Sequence, residues 1–473
     1  MEAMKILVNG EWRQTGIKRQ VFNPFDNRVV GEVCQATSRD IDDAISSAEA
    51  AFHLTKNLSP YERGAALDSV SRALAGKRDE FARLITEETG KPISYSGAET
   101  DRAVFTIATS AEEARRIEGH VLPLDVVPQP GNRTAIIRRF PLGVIGAITP
   151  FNYPLNLVAH KLGPAVAAGN TVVLKPSSNA PQTALRFAEL FAQTALPPGT
   201  INVVPCMGSE IEQLITDKRV KLISFTGSPV VGWGIKVRSA KKKVLLELGG
   251  NAGVIVCADA NLDQSLKSIV QGAFGNAGQS CISVQRIYVH ESIADVFTSQ
   301  LVKLAKSVAV GDPANPRTVV GPMIDEQAAR KVESWILEAT KGGARVLCGG
   351  GRTGAVLEPT ILVDVAPEMK VSCQEAFAPV VTVDRFSEFK DAVERVNTSA
   401  YGLQAGVFTN SASDMFYAYR ELEVGGVVIN DASSFRVDHM PYGGVKESGI
   451  GREGIRYAIE EMTEMKLLAL NFS

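Results

Sequence analysis

Metal and redox signatures are scarce in this chain. Its 473 residues include only six cysteines and five histidines. Cys34, Cys206, Cys257, Cys281, Cys348 and Cys373 are scattered, with no C-x-x-C pair to hold zinc or form a redox disulfide. His53, His120, His160, His290 and His439 show no metal-ligand spacing, so no metal site is expected. Reduced thiols in a cytoplasmic protein are the expectation. One-sign charge runs are also missing. Fifty basic and 52 acidic side chains nearly cancel, which argues against nucleic acid or a membrane surface as the main partner. No apolar run is long enough to span a bilayer, and the opening "MEAMKILVNGEWRQ" lacks the pattern of a secretory leader. A small-molecule partner remains as the default, on a chain long enough for two or three domains.

The helical period appears first at Ile41, Ala44, Ile45, Ala48, Ala51 and Phe52. It returns in "SPYERGAALDSVSRALAGKRDEFARLITEETGK", which has a capping box at Ser59 and Glu62 and a stop at Gly90 and reads as one long helix. Two amphipathic helices are thus expected to open the fold. From residue 121, "VLPLDVVPQPGNRTAIIRRF" carries three prolines among β-branched residues, as an extended arm or a surface hairpin would. Beyond it, "GVIGAIT", "NTVVLKP", "TINVVP" and "KLISFTG" read as short buried strands. "PQTALRFAELFAQTA" and "SEIEQLITD" between them read as helices, so right-handed βαβ units and a parallel sheet follow. A second α/β region begins near residue 250.

Several short stretches hold side chains that could do chemistry, and each has a plainer reading. Cys281 in "GNAGQSC" is a nucleophile or a packed thiol. Glu247 in "VLLELGGN" is a general base whose apolar surroundings raise its pKa, or half of a buried ion pair. Asn152 in "ITPFNYPLN", with Pro150 and Pro154 fixing the backbone, is an oxyanion donor or a turn former. Lys175 stands where a parallel strand ends, the edge at which ligands bind. Gly227 and Ser228 sit at a strand-to-helix junction that suits a phosphate or a tight turn.

Together, "TPFNYP", "LKPS", "FTGS", "LELGG", "GQSC", "EAFAPV" and "PYGGVKESGIGREG" resemble the NAD(P)-dependent aldehyde dehydrogenase superfamily over essentially the whole chain. The resemblance implies that fold: an α/β protein with a Rossmann-like parallel-sheet cofactor domain, an α/β catalytic domain and a β oligomerisation arm. The implied divisions are a first part of the cofactor domain at 1–118, the arm at 119–140 and a second part at 141–249. The catalytic domain follows at 250–445 and a return and tail at 446–473. Cys281 matches the nucleophile, Glu247 the base and Asn152 the oxyanion amide. Thr149, Pro150, Lys175, Ser178, Gly227, Ser228, Leu248, Glu375 and Phe377 match the surroundings of NAD or NADP. Lys175 falls at the adenosine ribose, Glu375 at the nicotinamide ribose, Phe377 beside the nicotinamide and Ser228 at the pyrophosphate. Ser178 replaces a glutamate frequent in NAD-preferring members, so NADP should be admitted. Ala378 replaces a usual glycine, with only a local packing change expected.

The chain looks most like the lactaldehyde dehydrogenase and non-phosphorylating glyceraldehyde-3-phosphate dehydrogenase branch, which implies a short, polar and anionic or lactaldehyde-like substrate. Arg102, Tyr153, Arg436 and His439 are the side chains expected around it. Ser280 replaces the arginine that the glyceraldehyde-3-phosphate enzymes usually carry there. The plainer reading of Arg102 is a surface ion pair, and that of Arg436 is a structural contact holding the loop. A CoA-acylating dehydrogenase and a non-catalytic protein on the same fold are the rival readings. A homodimer or homotetramer in the cytoplasm is implied.

Overall fold

The computed structural model describes residues 2–128 and 132–472. The "QPG" of the expected arm lies outside them. Four short strands, Ile6–Val8, Glu11–Arg13, Lys18–Phe22 and Val29–Cys34, precede any helix, so the fold does not open on helices. Their brevity hides the period-2 pattern. The expected long helix is two, Pro60–Gly76 and Arg78–Thr89, broken where Lys77 leaves helical geometry (φ −112°, ψ 18°). Its start is as expected: Ser59 and Glu62 cap each other reciprocally, and Gly90 ends the second helix at φ 68°.

The strands Val144–Ile148, Thr171–Lys175, Ile201–Val203, Val220–Thr226 and Lys243–Glu247 run parallel in an eight-stranded sheet. Numbered along the chain, their spatial order is 3-2-1-4-5. The order reverses between Val144–Ile148 and Val220–Thr226, and the crevice beyond the carboxyl ends of that pair is where such sheets bind ligands. A seven-stranded sheet is built around Ala252–Val256, Val284–His290, Val380–Phe386 and Gln404–Phe408, all parallel. The pair Gly449–Ile450 returns to the first sheet, antiparallel to Lys243–Glu247. His120–Pro123 and Arg133–Pro141 pair with Thr463–Asn471 in a separate three-stranded sheet that projects Leu467 and Leu468 into solvent.

Helix Asn156–Ala168, "NLVAHKLGPAVAA", has no polar face and is buried at every position. Its two ionisable residues, His160 and Lys161, therefore need partners inside the protein. Those partners arrive from residues 436–453. Among the described residues, no helix is long and apolar enough to cross a membrane.

Candidate active site

A cavity of about 900 Å³ lies over the crevice, walled by strand ends of the first sheet and by loops that lead into the second. Sixteen of the seventeen residues singled out in the sequence line it, from Arg102 and Thr149 to Phe377 and Arg436. The exception is His439, which is exposed and packs edge-on against Phe105 with ring centroids 6.1 Å apart. It does not line the cavity wall; its neighbour Asp438 turns inward instead.

Cys281 follows a turn in which Asn276, Ala277 and Gly278 all take positive φ. A side chain at Gly278 would stand 2.1 Å from the Ala378 carbonyl, so the run of small residues brings this turn against the Glu375 loop. The thiol reaches the phenol of Tyr442 at 2.7 Å. Burial pushes it up to about 11, with Glu375 and Glu247 adding to the shift and Tyr442 and Arg436 opposing it. Glu247 ends its strand with 4% exposure, and its Oε2 has no partner among the described residues. Burial, then the nearby Glu453 carboxylate, raise it well above the usual carboxylate range. Asn152 donates one amide proton to the Gln279 carbonyl at 3.1 Å. An amide NH₂ has two, so one is left over.

The opposite end fits a dinucleotide. Lys175 finds only the Ser178 hydroxyl, at 3.3 Å, and no carboxylate among the described residues. Thr149 and Thr226, at the ends of the two crevice strands, have buried hydroxyls without partners among the described residues. Ser228 begins helix Pro229–Arg238 without capping it, leaving the first N–H groups free for phosphate. Glu375 accepts from the Gly250 N–H at 2.9 Å, and a side chain at Gly249 would come within 2.4 Å of its other oxygen. Burial pushes Glu375 up to about 7. Phe377, at φ 50°, meets Phe151 edge-on at 6.0 Å.

The other end holds a charge network that the sequence did not disclose. Asp438 accepts from Arg102 at 2.7 and 3.0 Å, from the Asn156 amide at 3.0 Å and from His160 Nε2 at 2.9 Å. Burial alone would raise this carboxyl, but His160 and Arg102 hold it far below its usual range. Glu453 pairs with Lys161 at 3.3 Å and Arg436 at 3.2 Å. Lys91, with Glu99 as partner, lies 3.8 Å from the centre of the Tyr153 ring. Glu99 in turn accepts from the Leu155 and Asn156 N–H groups at 2.9 and 3.1 Å, fixing the loop that carries Asn152. Asp438→Asn leaves Arg102 and His160 facing a neutral amide. A loss of about 3–5 kcal/mol in unfolding free energy is expected, read from the denaturant midpoint. Because the folded-state pKa is depressed, this stabilisation is present above the ordinary carboxylate range and fades as pH falls below it. The variant should therefore lose the Asp438 share of the decline in stability on acidification, while Glu453 and Asp217, also held below their usual range, keep theirs.

This fold and cavity define a dehydrogenase that oxidises carbonyl substrates with a dinucleotide. The chain belongs to the aldehyde dehydrogenase family, whose sequence model matches residues 12–468. It is 47% identical over 467 residues to the 3-sulfolactaldehyde dehydrogenase of Priestia aryabhattai, covering 98% of each chain. It is 37% identical to the lactaldehyde dehydrogenase of Methanococcus aeolicus, covering 98% of this chain and 100% of the other. Aldehyde dehydrogenase 21 of Physcomitrella patens, solved with the reaction product succinate, superposes with a TM-score of 0.98 at 41% identity, covering 99% of this chain and 98% of that one. A glyceraldehyde-3-phosphate dehydrogenase of Methanocaldococcus jannaschii, solved with NADP, gives 0.93 at 37%, covering 97% and 100%. The protein is an NAD(P)-dependent oxidoreductase that converts an aldehyde to its carboxylate, through the cysteine thioester general to the family.

Proposed function

We propose that the substrate is a short aldehyde carrying an anionic group, with sulfonate, carboxylate and phosphate as its chemical range. The observation that carries this is Arg436. Lys91 has Glu99, Lys161 has Glu453 and Arg102 has Asp438, while Arg436 shares Glu453 and approaches Asp438 only to 3.9 Å, its Nε unpartnered. A buried cation without a carboxylate of its own favours an anion beside it. The names of the relatives point the same way: 3-sulfolactaldehyde carries a sulfonate and succinate a second carboxylate. Arg102, Tyr153 and Ser280 complete this subsite.

In this reading Thr149, Pro150, Lys175, Ser178, Gly227, Ser228, Leu248, Glu375 and Phe377 hold NAD or NADP, with neutral Ser178 tolerating a 2′-phosphate. The bound nicotinamide supplies the hydride acceptor. The Cys281 sulfur forms the bond to the aldehyde carbon, and the remaining Asn152 amide proton and the Cys281 N–H meet the developing oxyanion. Once the acyl group is a thioester, Glu247 takes a proton from water. The resulting hydroxide adds to the carbonyl, the sulfur leaves as thiolate, and the carboxylate is released. A base beside the thioester favours hydrolysis over transfer to CoA, and adding CoA and looking for acyl-CoA separates the two.

The cofactor domain comprises residues 1–118 and 141–249, the catalytic domain 250–445, and the arm and tail join copies into a homodimer or homotetramer in the cytoplasm. The exposed Val121, Leu122, Leu467 and Leu468 support that assembly.

The test is NAD(P)H formation at 340 nm with both cofactors, pairing each anionic aldehyde with a neutral one of similar length. 3-Sulfolactaldehyde, succinate semialdehyde and glyceraldehyde 3-phosphate form the charged set. Arg436→Met should reduce kcat/KM on the charged members at least about tenfold more than on their neutral partners. Equal losses on both would return Arg436 to a structural role.

A further inference from the structure

A buried thiol needs help to react as a thiolate, and the cavity places one group against it. Tyr442 Oη lies 2.7 Å from Cys281 Sγ. The phenol is itself buried, at 3% exposure, and its backbone is pinned by reciprocal bonds with Glu453 at 3.0 and 2.6 Å. Arg436 lies over the ring face with its guanidinium carbon 3.7 Å from the centroid. The charged or titratable groups acting on the sulfur are Tyr442, Arg436, Glu375 and Glu247, and those acting on the phenol are Cys281, Arg436 and Glu247.

We propose that Tyr442 is a positioning residue that holds the Cys281 sulfur and donates its phenolic proton to the thiolate, with Arg436 on its ring face strengthening the donation. The proposal rests on the reading of Cys281 as the nucleophile. A phenol is ordinarily a weaker acid than a thiol, about 10 against 8.5, so the pair's first proton leaves from sulfur and the phenol keeps its own. Burial raises the phenol further, which keeps it a donor throughout the working range. A cation over the ring withdraws electron density and makes the O–H a better donor. The S–H proton is lost to solvent, the O–H bond of Tyr442 stays intact, and Glu247 remains a carboxylate able to take the proton of the hydrolytic water. Two glutamates beside the sulfur oppose its negative charge, and the phenol is the hydrogen-bond donor that offsets them.

Tyr442→Phe removes one oxygen and keeps the ring under Arg436. The pH profile of iodoacetamide alkylation at Cys281, followed by peptide mass spectrometry with and without NADP, reads the thiolate without requiring aldehyde turnover. The midpoint should rise by about one unit or more, with about a tenfold slower reaction at neutral pH. In turnover, kcat should fall more than KM rises. Tyr442→3-fluorotyrosine, a more acidic phenol of nearly the same shape, should move the midpoint down, and it decides the matter should Tyr442→Phe not fold. An unchanged midpoint in either folded variant overturns the proposal. Full turnover in Cys281→Ala overturns the reading beneath it instead.

Discussion

Cys281→Ala is expected to lower aldehyde-dependent NAD(P)H formation by about four orders of magnitude or more, because the variant has no atom with which to form the acyl intermediate. Cofactor binding, measured by quenching of tryptophan fluorescence, should be retained, since Lys175, Ser228 and Glu375, the residues proposed to hold it, stand on separate elements. Cys281→Ser should be almost as inactive, since a hydroxyl beside Glu247 and Glu375 is far harder to ionise than a thiol. The other five cysteines cannot substitute: Cys34, Cys206, Cys257 and Cys348 are buried elsewhere, and Cys373 lies outside the cavity lining. A rate within tenfold of wild type would mean that hydride transfer proceeds without covalent attachment to this residue.

Asn152→Ala should reduce kcat by about a hundredfold to a thousandfold with a much smaller change in KM, the pattern of a donor that acts where charge develops. The amide is held from three sides. Pro150 and Pro154 restrict the backbone, Gln279 takes one amide proton, and Glu99 anchors the two N–H groups that follow the loop. Asn152→Asp should do no better than alanine, since a carboxylate would repel the oxyanion it replaces a donor for. Steady-state kinetics on the best aldehyde from the panel check both variants. A loss confined to KM would assign Asn152 to ground-state binding.

Much of this architecture can be read from the letters because it is local. The runs "GVIGAI", "TVVLK" and "KLISFT" are largely apolar and rich in β-branched residues, and proline or glycine follows each within two residues. The 3-2-1-4-5 order then puts their ends together, which is why Thr149, Lys175 and Gly227 share one cavity. The charge network is long-range and left no such trace. Asp438 finds Arg102 at a separation of 336 residues and His160 at 278. Asp438 and His439 are neighbours in "RVDHM", yet one faces in and the other out. An irregular segment has no period from which to tell which is which. Tyr442 was similarly hidden within "PYGG", where an aromatic reads as ordinary packing. The break at Lys77 directly follows Gly76, a glycine inside a helical pattern that marks a possible end, so this boundary was legible in the letters and the one-helix reading missed it.

The separation between Arg102 and Asp438 also bears on how the protein is made. At about 5–20 residues per second, a ribosome needs roughly half a minute to travel from the first to the second. For much of that interval, once it has been made, the helix Asn156–Ala168 carries His160 and Lys161 with no carboxylate from residues 438 or 453 to receive them. The strand Arg133–Pro141 waits still longer with an open edge for Thr463–Asn471. A nascent chain therefore has an incomplete charge network and an open strand edge until residues 438–471 emerge, and both conditions end together. The same few dozen residues that complete the charge network also seal the exposed edge, so pairing of the buried charges and protection of the edge are completed by one segment.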